Sequence, residues 1–217
     1  MSHDIRTPIN GICGMIDVAD HHADDIEKQT ECRAKIKEAS QLLLELVNEV
    51  LDMSKLEADE MVLEETPFNL SSIAKEVFAV IEQIAAEQNI RIMWEKKEVT
   101  HRNLIGSPAY VKRVMMNILS NAVKYNKENG CIYISCREII SEQPEMTTME
   151  FVCRDTGIGM TDAFQKHIFE PFAQEHIGSR TKFTGTGLGM PISKKLVEKM
   201  GGTITFKSKE GAGTTFL

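Results

Sequence analysis

Near its N-terminus the chain carries a histidine, an acid and a hydroxyl close together, in the string SHDIRTP. Residues four apart share a face of a helix, so His3 and Thr7 would present an imidazole and a hydroxyl to one ligand. Asp4 adjoins the histidine and can hold or deprotonate the ring. A neutral imidazole is a competent nucleophile, and a neighbouring carboxylate stabilises its developing positive charge. The string predicts phosphotransfer, although a histidine near a chain end is more often a solvated side chain.

Two amides and an amine fall on one side of a predicted helix that follows Ser107. Asn117, Asn121 and Lys124 have spacings that nearly close whole helical turns. The rest of this helix is apolar, so these side chains would destabilise the fold unless they had partners. Amide oxygens suit Mg²⁺ and an ammonium group suits a phosphate, so the stripe predicts binding of both. A plainly exposed polar face is the alternative.

Two glycine-rich strings, DTGIGM and GTGLGM, follow a predicted strand and precede a predicted helix respectively. Glycines let the backbone approach a ligand closely, and a helix N-terminus favours phosphate. Asp155, which opens the first string, is an acceptor suited to the exocyclic amine of adenine. A dinucleotide fingerprint is excluded because Met190 takes the place of its third glycine, and no Gly-Lys pair forms a P-loop. Tight turns are the alternative. The glycines concerned are Gly157, Gly159, Gly185, Gly187 and Gly189.

A polar loop from Gln174 to Thr184 separates the two glycine strings. Its length and polarity suit a mobile lid over a nucleotide, with Arg180 or Lys182 as the candidate to meet the terminal phosphate. Phe169 and Phe172 are predicted to pack the base of this loop. An ordinary surface loop is the alternative, and the sequence does not decide between the two cations.

The first elements that must position these residues are two helices. Apolar residues recur at spacings of three and four, which predicts helices from Ile5 to about Ala19 and from about Ile26 to Glu57. A polar connection makes them a hairpin. Their apolar stripes are too wide for the hairpin to bury alone, so we expect half of a four-helix bundle in a homodimer.

After Glu57 the pattern changes to strands mixed with helices, and a second domain begins. The strands look antiparallel or mixed, which predicts an α+β two-layer sandwich. The predicted elements are a short strand ending at Pro67, a helix capped by Asn69 or Ser71, a strand from Ile90, a helix with Ser107 as cap and Pro108 in its first turn, strands at CIYISCREI and MEFVCRD, a helical stretch from about Thr161 to Phe169, a helix from about Leu188 to Lys199, and closing strands ITFKSK and TTFL.

Composition excludes several classes of function. The 217 residues include 32 acidic and 25 basic ones, without a basic cluster, so we expect no nucleic-acid partner. No apolar run approaches the ~20 residues of a membrane span, and the N-terminus lacks the features of a signal peptide. Five cysteines without a CxxC pair indicate free thiols in a reducing compartment. We expect a soluble, cytoplasmic chain, attached to a membrane only through parts of a longer protein.

The strings SHDIRTP, NILSNAVKYN, DTGIGM, FEPFAQ and GTGLGM follow the order of the H, N, G1, F and G2 boxes of sensor histidine kinases of two-component systems. The chain resembles that family over essentially its whole length. The resemblance implies a dimerisation and histidine phosphotransfer hairpin over residues 1–60 and a catalytic ATP-binding domain of the Bergerat type over residues 61–217. It implies ATP-dependent autophosphorylation of a histidine and transfer to an aspartate of a response-regulator receiver, with phosphatase activity towards the regulator as a further expectation.

The resemblance also implies a role for individual residues. His3 resembles the phosphoacceptor, Asp4 the acid that assists it, and Thr7 the residue that positions water in dephosphorylation. Asn121 resembles the principal Mg²⁺ ligand, with Asn117 assisting. The remaining implied ATP contacts are Lys124 and Tyr125 for phosphate and nucleotide, Asp155 and Thr214 near the adenine, and Gly157, Gly159, Gly185, Thr186, Gly187, Leu188 and Gly189 in the glycine strings.

Two departures from the family concern the ends of the chain. The family's acceptor lies in the middle of its helix, whereas only Met1 and Ser2 precede His3 here. The family's last strand usually continues past GTTF, whereas this chain stops at Leu217. We therefore expect a fragment of a longer sensor, truncated within its first helix.

Two other functions remain open. An ATPase or serine kinase on the same nucleotide-binding fold would give either no phosphoprotein or an acid-stable one, because phosphoserine survives acid and phosphohistidine does not. A kinase-inactive module for dimerisation or receiver docking would bind ATP analogues without becoming labelled.

Overall fold

The computed structural model describes residues 2–58, 60–140, 145–175 and 185–217, and the chain divides into two compact units, Met1–Met61 and Val62–Leu217. Unit 1 consists of two helices, α1 (Ser2–His21) and α2 (Ile26–Glu57), and α2 has the predicted bounds. Asp25 caps α2 by accepting from the N–H of Lys28. The hairpin part of the predicted fold class is therefore confirmed.

Helix α2 has two apolar stripes. One is buried and comprises Cys32, Leu46, Met53 and Leu56. The second, which we call the α2 outer stripe, comprises Leu44, Val47 and Leu51, which are 62%, 42% and 53% exposed. Spacings of three and four place these three side chains on one side of the helix.

Among the helices of the described residues, none is long and apolar enough to cross a membrane.

The described residues of unit 2 contain a five-stranded mixed sheet in the strand order β2-β4-β5-β7-β6, with the β2–β4 pair parallel and the other three pairs antiparallel. Helices cover one face of this sheet, which confirms the predicted α+β sandwich. The elements of unit 2 are β1 (Thr66–Asn69), α3 (Leu70–Glu87), β2 (Arg91–Glu98), β3 (Asn103–Gly106), α4 (Pro108–Lys124), β4 (Cys131–Ile140), β5 (Thr147–Asp155), α5 (Asp162–Gln165), α6 (Gly189–Lys199), β6 (Phe206–Lys209) and β7 (Gly213–Phe216).

The core of unit 2 lies between the sheet and helices α3 and α4. Alternation along β4 turns Ile132 and Ile134 inwards, where both are fully buried. Val77 and Ile81 of α3 and Leu119 of α4 are buried in the same cluster. Burial of these large side chains stabilises the unit by about 1.5–3 kcal/mol each and determines which sides of α3 and α4 face the sheet.

The strand predicted to end at Pro67 is placed differently. It begins at Thr66, ends at Asn69 and pairs antiparallel with β3, a strand that was not predicted, in a separate two-stranded sheet. Ser107 is the N-cap residue of α4 and Pro108 lies in its first turn, as predicted, but the Ser107 side chain makes no cap bond. Its hydroxyl instead accepts from the N–H of Glu64 at 2.7 Å and donates to the Glu64 carbonyl at 2.9 Å.

The helical stretch predicted from Thr161 to Phe169 is shorter in the structure. Helix α5 covers only Asp162–Gln165, with Thr161 as its cap. After it, the N–H of His167 donates to the Phe164 carbonyl, which is a turn rather than a continued α-helix. The tighter path buries Ile168 in the core of unit 2, which favours the turn over the helix.

Candidate functional site

The predicted acceptor residues lie in unit 1. His3 and Asp4 fall in the first turns of α1, and their side chains are outside the described part of the structure. Thr7 follows one turn later and is exposed. Pro8 lies inside α1 and has no N–H to donate to the carbonyl of Asp4, its partner by helical spacing. The first turns of α1, which carry the predicted acceptor, therefore lack one backbone hydrogen bond that ordinary helical turns have.

Helix α4 carries the predicted Mg²⁺ and phosphate residues. Its apolar side is buried and comprises Met115, Ile118, Leu119, Ala122 and Val123. Helical geometry then places Asn117, Asn121 and Lys124 on the opposite side, where all three are half-buried. Packing of the apolar side is therefore what orients the polar stripe.

Asn117 holds α6 against α4. Its Nδ2 atom donates to the carbonyl of Gly189 and to the hydroxyl of Ser193, each at 3.0 Å. Ser193 is fully buried, so its hydroxyl needs this partner. With Nδ2 directed at α6, the atom of Asn117 that can face a ligand is Oδ1.

Lys124 lies beside the start of the second glycine string. Its Nζ atom is 4.9 Å from the centroid of the Tyr125 ring. A Cβ atom on Gly185 would come within 2.5 Å of the same Nζ. The absence of a side chain at position 185 thus leaves room for the ammonium group, and the structure brings Lys124, Tyr125 and Gly185 together.

Asp155 is a buried acid at the end of β5, only 8% exposed. The backbone N–H groups of Gly157 and Thr214 donate to its Oδ1 atom at 2.8 and 3.2 Å. Burial raises the pKa of this carboxyl above its usual 3.8, and these two hydrogen bonds oppose that rise. Because both bonds reach Oδ1, the carboxylate can present Oδ2 to the N–H donor of a ligand.

Gly157 permits direct contact between α4 and the first glycine string. A Cβ atom here would lie 2.2 Å from the carbonyl oxygen of Tyr125 and 2.8 Å from Oδ1 of Asp155. The same Tyr125 carbonyl accepts from the N–H of Ile158 at 3.0 Å. Gly159, two residues on, lies instead against the backbone of Lys209 in β6.

The second glycine string leads into α6. Gly187 has a φ of +71°, a conformation that disfavours other residues, and its carbonyl accepts from the N–H of Phe172. The N–H of Leu188 donates to the Thr186 hydroxyl at 3.2 Å, and the Leu188 side chain is fully buried. A ligand at this place would therefore meet the backbone of Leu188. Gly189 is the first residue of α6.

The ends of the predicted lid meet at its base. The Nε2 atom of Gln174 donates to the carbonyl of Gly185 at 2.6 Å. Phe172 lies at this base through its backbone, whereas the ring of Phe169 packs on Phe206, with centroids 5.7 Å apart. The lid cations Arg180 and Lys182 lie outside the described residues.

Two polar residues in this region, the buried Asn126 and the half-buried Thr156, were missed by the sequence reasoning. Asn126 is 7% exposed, and its side chain contacts Lys127, Cys131 and Thr156. The string NKENG, an asparagine before a glycine-containing turn, was the available signal. The contact with Thr156 had none, because the two residues are 30 positions apart.

A surface recess of about 530 Å³ lies away from these residues and is lined by Glu95, Lys96, Ser135, Arg137 and Glu150. Ser135 and Arg137 alternate with the buried Ile134, so they belong to the outer face of the sheet. Arg137 and Glu150 form a bidentate ion pair. Because this arginine is already neutralised by a glutamate of the recess, the recess is a weaker candidate than the buried acid at Asp155.

Comparison with family models divides the chain in two. The model described as "His Kinase A (phospho-acceptor) domain" matches residues 1–59, and the one described as "Histidine kinase-, DNA gyrase B-, and HSP90-like ATPase" matches residues 106–217. Among curated relatives, the sensor histidine kinase GacS of Pseudomonas protegens is 32% identical over 217 residues, covering 100% of this chain and 23% of its own length. The chain likewise spans 30% of the sensory/regulatory protein RpfC of Xanthomonas campestris pv. campestris and 18% of the hybrid signal transduction histidine kinase K of Dictyostelium discoideum.

Solved structures match the whole chain. Full-length ShkA in complex with AMPPNP has a TM-score of 0.73 at 27% identity and covers 99% of this chain, which spans 43% of that one. Histidine kinase ThkA in complex with the response regulator TrrA has a TM-score of 0.72 at 28% identity, with 99% of this chain and 57% of that one covered. Both units described above therefore recur in proteins of known structure.

Proposed function

Because the chain belongs to the sensor histidine kinases of two-component systems, we propose that it transfers the γ-phosphoryl group of ATP to His3 and then to an aspartate of a response-regulator receiver domain. The observation that supports this most is the buried Asp155 carboxyl, which the N–H groups of Gly157 and Thr214 hold next to a glycine that packs on the end of α4. A buried acceptor for the adenine amine, in a segment packed on the helix that carries Lys124 and the two asparagines, suits an adenine nucleotide.

Unit 2 would bind ATP through both ends of the nucleotide. Oδ2 of Asp155 would accept from the exocyclic amine of adenine, and guanine, with a carbonyl there, would be rejected. Lys124 and the backbone N–H groups at the start of α6 would meet the phosphates. The nucleotide analogue in the ShkA complex supports ATP as the ligand.

The amides of α4 fit a magnesium ion. Asn117 is held with Nδ2 towards α6, which leaves its Oδ1 for a ligand, and Asn121 lies one turn further along the same side. Amide oxygens are hard donors of the kind that Mg²⁺ accepts. When bound, Mg²⁺ neutralises charge on the phosphates.

At His3, a ring nitrogen would attack the γ-phosphorus while the bond from that phosphorus to the leaving oxygen of ADP breaks. Asp4 would hold the other ring nitrogen and stabilise the positive charge that develops on the imidazole. Thr7 would position water in a phosphatase reaction on the regulator. The ThkA complex with a response regulator supports a receiver domain as the partner.

Radiolabelling with γ-labelled ATP tests the proposal. We expect label on the wild-type chain that is lost in acid, none on His3→Gln, and unchanged labelling on His22→Gln, a matched control in the α1–α2 connection. Asn121→Asp should lose Mg²⁺-dependent ATP binding, whereas His3→Gln should keep it. Label retained by His3→Gln would refute the acceptor, and acid-stable label would favour a serine kinase.

A further inference from the structure

The geometry points to Asn126 as a positioning residue that couples the adenine end of the nucleotide site to its phosphate end. It follows the C-terminus of α4, and no role in binding or catalysis has been given to it above. Its buried side chain joins three segments of the chain: the end of α4, the start of β4 and the first glycine string. The inference rests on the proposed nucleotide-binding function.

The orientation of the Asn126 amide follows from its partners. The N–H of Lys127 donates to Oδ1 at 2.9 Å, and an N–H can be accepted only by the amide oxygen. Nδ2 therefore faces the carbonyl of Cys131, to which it donates at 3.3 Å. The amide thus bridges the end of α4 and the first residue of β4, in a site where an unpaired group would be strongly unfavourable.

Thr156 completes the bridge to the first glycine string. Its hydroxyl accepts from the N–H of Cys131 at 2.9 Å and lies 3.3 Å from both Oδ1 of Asn126 and the Cys131 carbonyl, either of which can accept its proton. The N–H of Thr156 donates to the same carbonyl at 3.1 Å. Thr156 directly follows Asp155, so this network fixes the backbone from which Asp155, the proposed acceptor for the adenine amine, projects.

The network also fixes the end of α4. Asn126 directly follows Tyr125, whose carbonyl accepts from the N–H of Ile158 and lies where a Cβ of Gly157 would otherwise be. Lys124 and Asn121 project from the same last turn of α4. The adenine acid and the phosphate residues are therefore held in one relative position by the Asn126–Thr156 pair.

Such coupling affects a ligand according to its length. Adenosine contacts the Asp155 end alone, whereas ATP must contact both ends at once. Rigid placement of two contact regions favours the ligand that spans them, because less ordering is needed on binding. Loss of the network should therefore weaken ATP much more than adenosine.

The test is calorimetric titration of the whole chain with adenosine and with ATP plus Mg²⁺. In Asn126→Ala and in Thr156→Val we expect the Kd for ATP to rise about tenfold while that for adenosine changes less than about twofold. Thr156→Ser, which keeps the hydroxyl, should restore ATP affinity. Asn103→Ala is the matched control, because it removes an amide pair with Asn69 in the separate two-stranded sheet.

Equal weakening of both ligands would overturn the inference, because a general loss of structure lowers both affinities together. Unchanged ATP affinity in Thr156→Val, the variant that keeps the side-chain shape, would also overturn it. If the wild type binds ATP but is never labelled on His3, the proposed function fails while the coupling stands. A wild type that binds neither ligand refutes both.

Discussion

At the scale of residues, the candidate nucleotide site depends on where a side chain is absent. Gly157 shares its space with the Tyr125 carbonyl and with Asp155, and a methyl group there would overlap backbone rather than a movable side chain. Overlap with backbone can be relieved only by separating α4 from the first glycine string. A Cβ atom added at position 157 would therefore disturb both the nucleotide site and the packing of unit 2.

We expect Gly157→Ala to abolish detectable ATP binding and to lower the stability of unit 2 by about 1–3 kcal/mol, measured by calorimetric titration and urea unfolding. Gly11→Ala in α1 is the control, because a Cβ there meets nothing within 4 Å. It should raise the stability of unit 1 by about 0.5–1 kcal/mol through helix propensity. Normal ATP affinity in Gly157→Ala would contradict the close approach.

Glu138 makes the stability of unit 2 depend on pH. Its pKa is lowered from the usual 4.5 to about 2, chiefly because the backbone N–H and the side chain of His101 bind its carboxylate, with help from Thr100 and Thr147. A carboxyl with a lowered pKa contributes its full stabilisation at pH values well above the unfolded pKa of 4.5. That contribution declines as the pH falls from about 5 towards 2.

We therefore expect Glu138→Gln to be less stable than the wild type at pH 7 and the difference between them to shrink as the pH approaches 2. Urea unfolding at pH 7, 4 and 3 measures it. Glu128→Gln, at an exposed position in the α4–β4 connection, should show no such trend. A stability difference that is constant with pH would contradict the role of the ionised carboxylate.

At the scale of elements, α2 keeps part of its apolar surface exposed. The α2 outer stripe of Leu44, Val47 and Leu51 lies on the side of the helix away from its buried stripe. We propose that this stripe forms the homodimer interface, because a second hairpin would bury it in a four-helix bundle. The match to the phospho-acceptor domain supports dimerisation.

Val47→Glu should convert the dimer to a monomer, because it places a charge in the centre of the proposed interface. Sedimentation equilibrium measures the change. Leu42→Gln is the control, since Leu42 is 41% exposed on the other side of α2 and should leave the dimer intact. A dimer that survives Val47→Glu would place the interface elsewhere.

Elements with long, regular apolar patterns were predicted well, and short ones were not. Helix α2 was predicted to the residue, because its 32 positions repeat one pattern. Strand β3 has only four residues and is stabilised by pairing with β1, about 37 positions away, which no local pattern reveals. The side-chain partner of Ser107 was not predicted for the same reason, since Glu64 is 43 positions distant.

The sequence also predicted the candidate site only in part. Asp155, Gly157 and Thr214 lie together, but the sequence offered no sign that Asn117 would direct its nitrogen into α6 or that Asn126 would bridge three segments. Those orientations depend on contacts between elements that are distant along the chain. Residue types were therefore predictable, whereas their hydrogen-bond partners were not.

At the scale of the whole molecule, all described candidate residues for ATP lie in unit 2, and the predicted acceptor lies in unit 1. A separately expressed fragment of residues 62–217 should therefore fold and bind ATP within about threefold of the whole chain. It should take up no label by itself. Calorimetric titration and γ-labelled ATP measure these two properties, and label on the fragment would contradict His3 as the acceptor.

The position of β7 has a consequence for synthesis on the ribosome. This strand is the last in sequence order among the described residues, yet it lies inside the sheet, between β5 and β6. During translation the hairpin of unit 1 can form early, but β5 must wait for Phe216 to pair with Cys153. Until then Asp155 also lacks the amide of Thr214. The nascent protein therefore cannot complete its nucleotide site until almost all of these residues have emerged.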